Sequence, residues 1–111
     1  MSVIVTLRIK ADGGELESWA AAHEEVLAGI IKNAEQHGVI AHRFYSDGGG
    51  NVMVLDEWPD AESFQAFFGE SRAEIGPMMA AVGVQGEPEL SFWQELNTPD
   101  RVGWGAETRM G

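Results

Sequence analysis

Asp47-Gly-Gly-Gly-Asn51, near the middle of the chain, constrains the fold more than any other feature, because Gly, Asn and Asp tolerate the positive φ of a tight reversal. Val39 to Ser46 precedes it and Val52 to Trp58 follows, both rich in β-forming residues, so the spacing predicts an antiparallel hairpin. The flanking segments repeat one pattern. Upstream, residues 2–10 alternate, with Val3, Val5, Leu7 and Ile9 on one side of a strand. Asp12 then offers an N-cap, and apolar residues from Leu16 to Ala34 recur at steps of three and four until Gly38, predicting a helix over 14–37. Downstream, Pro59 ends the hairpin and Asp60 can cap a helix carrying Phe64, Phe67 and Phe68. Gly69, the capping-box pattern at Ser71-Arg-Ala-Glu74, and Gly76-Pro77 predict interruptions in that helix. Gly83 and Gly86-Glu-Pro88 are expected to end the helical stretch, leaving Leu90 to Leu96 as the last strand.

The order β-α-β-β-α-β is the split arrangement of a ferredoxin-like α+β fold: a four-stranded antiparallel sheet with its helices on one face. A chain of 111 residues has room for one such unit, expected over 1–96. Nearly every strand has apolar residues on both sides, so the face away from the helices needs a cover. A second copy of the chain is the simplest one, which predicts a homodimer closing into a dimeric α+β barrel. Residues 97–111 show no period; they read as a frayed C-terminal tail or as a dimer arm anchored by Trp104.

Eighteen acidic residues against seven basic ones give a formal charge of −11, a field that repels phosphate backbones and anionic headgroups. Neither nucleic acid nor a membrane is an expected partner. With no cysteine, the chain has no disulfides, thiolate metal sites or cysteine nucleophiles. No targeting pattern and no spanning stretch of roughly 18–20 apolar residues is present, so the expected location is the cytoplasm.

The segment Trp58-Pro-Asp-Ala-Glu-Ser-Phe64-Gln-Ala-Phe67 resembles the strand-to-helix junction of the antibiotic-biosynthesis-monooxygenase-like family of dimeric α+β barrels, and the order and lengths of the elements agree loosely over residues 2–96. That family includes oxygenases acting on phenolic or anthrone-like polyketides without metal or flavin, small quinol oxygenases and haem-degrading enzymes. The resemblance implies a ligand between sheet and helices, with Trp58 as a wall of the cleft. The haem-degrading branch places an axial His on the second helix and an Asn on the first strand. Here residues 60–82 contain no His, and Thr6 stands near the Asn position, so haem is not expected.

Three histidines provide the groups that titrate near neutral pH. His23 falls on the apolar stripe of the first helix and is expected to point toward the sheet, as a core residue or a pocket acid/base. His42 shares a strand face with Ile40 and Phe44 and would reach the same space if the helices cover that face. His37, beside Gly38, is expected at a helix end, where a cation meets the dipole. A cofactor-free oxygenase needs a base, donors for a developing oxyanion and a dry aromatic pocket. His42 or His23 would be the base, Arg43 or Asn51 a donor, and Trp58, Phe64, Phe67, Phe68 and Phe92 the wall around a small aromatic or apolar ligand. The adjacent pairs Glu24-Glu25 and Asp56-Glu57 diverge on their elements and are expected at the solvated surface, so neither a metal nor any other cofactor is expected. Three readings share this fold and pocket: a cofactor-independent monooxygenase; a noncatalytic small-molecule-binding or stress-related barrel protein; and an isomerase, decarboxylase or cyclase.

Overall fold

A computed structural model describes residues 2–103. The elements run β1 (Val3–Lys10), α1 (Gly13–Ala22), α2 (Glu24–Gln36), β2 (Ala41–Ser46), β3 (Asn51–Trp58), α3 (Ala61–Ala81) and β4 (Gln85–Trp93). The four strands form one antiparallel sheet in the order β2-β3-β1-β4, the ferredoxin-like α+β topology. Asp47 stabilises the β2–β3 hairpin: its carboxylate accepts from the Gly49 and Asn51 backbone N–H groups and from the Asn51 side chain.

Register decides what each face carries. His42 pairs with Asp56, Asp56 with Val5, and Val5 with Phe92, forming one row across all four strands. Phe44, Val54, Leu7 and Leu90 form the next row. Side chains directly opposite one another share a face, and this is the face that α2 and α3 cover. Val5, Leu7 and Ile9 are buried there, as the alternation in β1 requires. The opposite face carries Ala41, Ile4 and Trp93 in one row and Tyr45 and Met53 in another. Trp93 is 57% exposed and Tyr45 47%, so this face is partly apolar and uncovered in the single chain.

Three elements depart from the sequence expectation. The helix expected over 14–37 is two helices, because His23 leaves helical geometry at φ −134° and ψ 44°. Its ring Nδ1 lies 2.8 Å from the Trp19 carbonyl, the acceptor its own backbone N–H would use in an unbroken helix, and that N–H donates instead to Ala20. The second departure is α3, which runs unbroken through Gly69 and Pro77. Phe64, Phe67, Ser71, Ile75 and Met78 make one continuous buried stripe along it, and burying that stripe outweighs a proline on the solvent side. Ser71 is a buried partner rather than a cap: its Oγ accepts from Asn33 Nδ2 at 2.9 Å, joining α2 to α3. Third, Gly86 and Pro88 lie inside β4. The pairing jumps from Arg8–Glu89 to Lys10–Gln85, so Ile9 faces a bulge made of residues 86–88. An edge strand admits a proline at a bulge because no neighbour needs its missing N–H.

His37 ends α2, where its Nε2 lies 2.8 Å from Glu70 of α3. Glu24 and Glu25 are exposed in the first turn of α2, as expected. Trp104, the anchor expected for a dimer arm, lies outside the described residues. No helix among the described residues is long and apolar enough to cross a membrane.

Candidate functional site

The core has two buried clusters on the helix-covered face. One surrounds Trp58, Phe64 and Phe67; the other surrounds Leu7, Leu16 and Val82. A cavity of about 80 Å3 is lined by residues of both. β1 contributes Val5, Leu7 and Ile9; α2 contributes Leu27, Ile30 and Ile31; α3 contributes Phe64, Phe67 and Phe68. The β2–β3 pair contributes His42, Phe44, Val54 and Asp56, and among the described residues that line the cavity only His42 and Asp56 are polar. A water occupies about 30 Å3, and a cavity of about 150 Å3 admits benzene. A ring-sized ligand therefore requires the helices or the phenylalanines to give way.

The polar end of the cavity is a chain of three side chains. His42 Nδ1 lies 2.7 Å from Asp56 Oδ1, and Trp58 Nε1 donates to Asp56 Oδ2 at 3.1 Å. Asp56 is 5% exposed and Trp58 0%. The carboxylate of Asp56 was expected at the surface with Glu57; instead it is buried. Glu57 alone turns to the other face, where it accepts from the Ser2 hydroxyl. The signal for Asp56 was present in the parity of β3: Val52, Val54, Asp56 and Trp58 share one side, and Val52 and Trp58 are core residues. A carboxylate enters such a face only if its oxygens are hydrogen-bonded, and among the described residues no buried side-chain nitrogen or oxygen lacks a partner. Phe44 meets the His42 ring edge-on at 5.0 Å.

The other sequence-derived candidates divide sharply. Phe64, Phe67 and Phe68 line the cavity, whereas Trp58 is sealed behind them, tilted against Phe67 at 5.2 Å. Phe92 packs edge-on against Phe64 at 5.9 Å but lies toward the open β4 edge, 40% exposed. His23 is exposed and stacked on Trp19 at 4.2 Å, away from the cavity, because the helix breaks at His23 instead of carrying it inward. Arg43 sits in the row of the opposite face, where β2 alternation places it, and its guanidinium donates to the His42 carbonyl. Asn51 is held in the hairpin by Asp47, beside a separate polar groove formed with Arg8, Lys10 and Glu87. Among the described residues no group of three or more His, Asp or Glu side chains could hold a metal ion.

Neither a protein-family model nor a curated protein matches the chain. Solved structures do. A monooxygenase of Streptomyces coelicolor, in complex with nanaomycin D, is 17% identical and superposes with a TM-score of 0.68, covering 91% of this chain and 93% of its own. A cofactor-independent oxygenase of Streptomyces nogalater is 15% identical with a TM-score of 0.59, covering 90% of this chain and 98% of its own. A dimeric ferredoxin-like protein from an uncultured marine organism is 14% identical with a TM-score of 0.64, covering 91% and 93%. The fold is that of antibiotic biosynthesis monooxygenases. At these identities the likeness speaks for the fold and not for the reaction.

Proposed function

We propose that the protein is a homodimeric, cofactor-independent monooxygenase acting on a neutral aromatic, quinol-like or polyketide small molecule, with His42 as its base. The observation that carries this reading is the His42–Asp56 pair as the only polar group, among the described residues, in an apolar, phenylalanine-lined cavity. Among the described residues no Lys or Arg lines the cavity, and the one cation that can form there, a protonated His42, is already paired with Asp56, so a carboxylate or phosphate on the ligand would find no free partner.

In the proposed reaction His42 takes a proton from a phenol or an activated C–H, leaving an electron-rich anion. The imidazolium, steadied by Asp56, supplies the opposing charge that Arg43 and Asn51 stand too far away to give. The anion passes electrons to O2, and a C–O bond forms to give a hydroperoxide, which recovers the proton from His42. Loss of the second hydrogen from that carbon breaks the O–O bond and releases water, so a CH2 and O2 become a C=O and H2O. The partly apolar sheet face bearing Trp93, Tyr45 and Met53 supports the dimer, as does the dimeric neighbour of the same fold.

Oxygen uptake by metal-free protein with a panel of hydroquinones and anthrones tests the reading. Turnover is expected to fall about 10²–10⁴-fold in His42→Ala and to persist in His23→Ala. The absence of Arg43 and Asn51 from the cavity favours a second reading, a noncatalytic binding protein. Saturable ligand binding by calorimetry with no oxygen uptake for any compound would select it. A monomeric mass by light scattering would remove the dimer.

A further inference from the structure

We infer that Trp58 and Asp56 act together as a polarity-setting clamp that fixes the tautomer of His42, holding Nδ1 protonated and leaving Nε2 as the basic nitrogen. The inference deepens the assignment of His42 as base and rests on that reading for its catalytic consequence. Its structural content stands on two hydrogen bonds and the strand register that aligns them.

An indole N–H donates and cannot accept. Trp58 is fully buried, so its N–H has one outlet, Asp56 Oδ2 at 3.1 Å. The other oxygen, Oδ1, is then the one facing His42 Nδ1 at 2.7 Å. A carboxylate there accepts, so the proton of neutral imidazole sits on Nδ1 and the lone pair on Nε2. His42 and Asp56 are directly opposed in the β2–β3 ladder, and Trp58 follows Asp56 on the same side of β3. Three side chains on two paired strands thus impose the order donor, double acceptor, donor. Asp56 is 5% exposed, so water has little room to substitute for either donor. Asp56 and Trp58 act through His42 and are positioning residues; of the three, only His42 would exchange a proton with substrate.

The clamp makes an unusual demand on Asp56→Asn, which keeps the shape of the side chain. The amide oxygen must serve the Trp58 N–H, because the alternative sets the amide NH2 against that buried donor. The NH2 then faces His42 Nδ1, which must become an acceptor, and the proton moves to Nε2. Removing the indole N–H with Trp58→Phe releases the constraint: in the Asp56→Asn/Trp58→Phe double variant the amide can turn its oxygen to His42 again.

Long-range 1H–15N NMR of the histidine rings in the ligand-free protein reads the tautomer directly. The native protein should show Nδ1–H at His42, Asp56→Asn should show Nε2–H, and the double variant should return to Nδ1–H. In parallel, Asp56→Asn should lower turnover about 10²–10⁴-fold, as a wrong-tautomer base does, and the double variant should recover part of it. Nδ1–H retained in Asp56→Asn overturns the clamp, and so does a folded double variant that stays Nε2–H. The single variant is isosteric, so its result decides even if the double variant does not fold. Tautomers that follow this pattern with no oxygen uptake in any variant would uphold the clamp and sink the oxygenase reading.

Discussion

His42 and His23 invite a direct comparison, since the period of its element puts each on an apolar face in sequence and each makes a hydrogen bond of similar length. His42 bonds a buried carboxylate across a strand pair, 2.7 Å away, and lines the cavity. His23 bonds the carbonyl of its own helix at 2.8 Å and lies exposed against Trp19. The first contact joins residues fixed by the register of a sheet, and the second joins residues four apart that end a helix. A histidine on a helical stripe has the freedom to break the helix by binding the backbone, whereas a strand residue with a paired partner has no such local escape. Chemistry is therefore better placed on the β2–β3 ladder than on the α1–α2 junction.

The sharpest way to break that contrast is to remove the support behind His42. Trp58→Ala should destabilise the fold by about 3–5 kcal/mol in urea denaturation, a large part of a typical 5–15 kcal/mol, because it empties the centre of one core cluster and strands a carboxylate oxygen. A loss below about 1 kcal/mol would mean that Trp58 and Asp56 are not the buried anchor described above. At the other region, His23→Ala should shift stability by no more than about 1 kcal/mol, since it removes an exposed stacking partner and a local bond. A larger loss in thermal melting would show that the α1–α2 break itself holds the helices in place.

The smallest effect sharpens the comparison at the start of α3, which begins three residues after Trp58. Asp60 caps this helix by accepting from the Ser63 N–H at 2.7 Å. That bond holds its carboxyl below the ordinary value of 3.8. With the folded value depressed, the unfolded chain takes up the proton first as pH falls. The stabilisation is complete above 3.8 and is lost as pH drops through the lower, folded value. Asp60→Asn keeps the cap but cannot titrate, so its urea midpoint should match the native protein at neutral pH and fall less steeply below pH 3.8. Parallel curves throughout would show that the cap carries no linkage.

What the residues declare locally was legible before any coordinates. Hairpin chemistry at residues 47–51, alternation in β1 and the Asp12 and Asp60 caps specify the strand and helix order, because each depends on neighbours in sequence. Phe64, Phe67 and Phe68 were likewise recoverable as an inward face, since 3.6-residue periodicity is a local property. The continuity of α3 through Pro77 was not, because it follows from a stripe that only the sheet beneath it makes worth burying. The same holds for the site. The sequence determined that His42 shares a strand face with Phe44. Only the tertiary structure decided that this face lies under the helices, that Asp56 stands opposite His42, and that Trp58 occupies the second oxygen. Those three facts depend on strand register and on which face is covered, and both are settled by contacts between residues far apart in the chain.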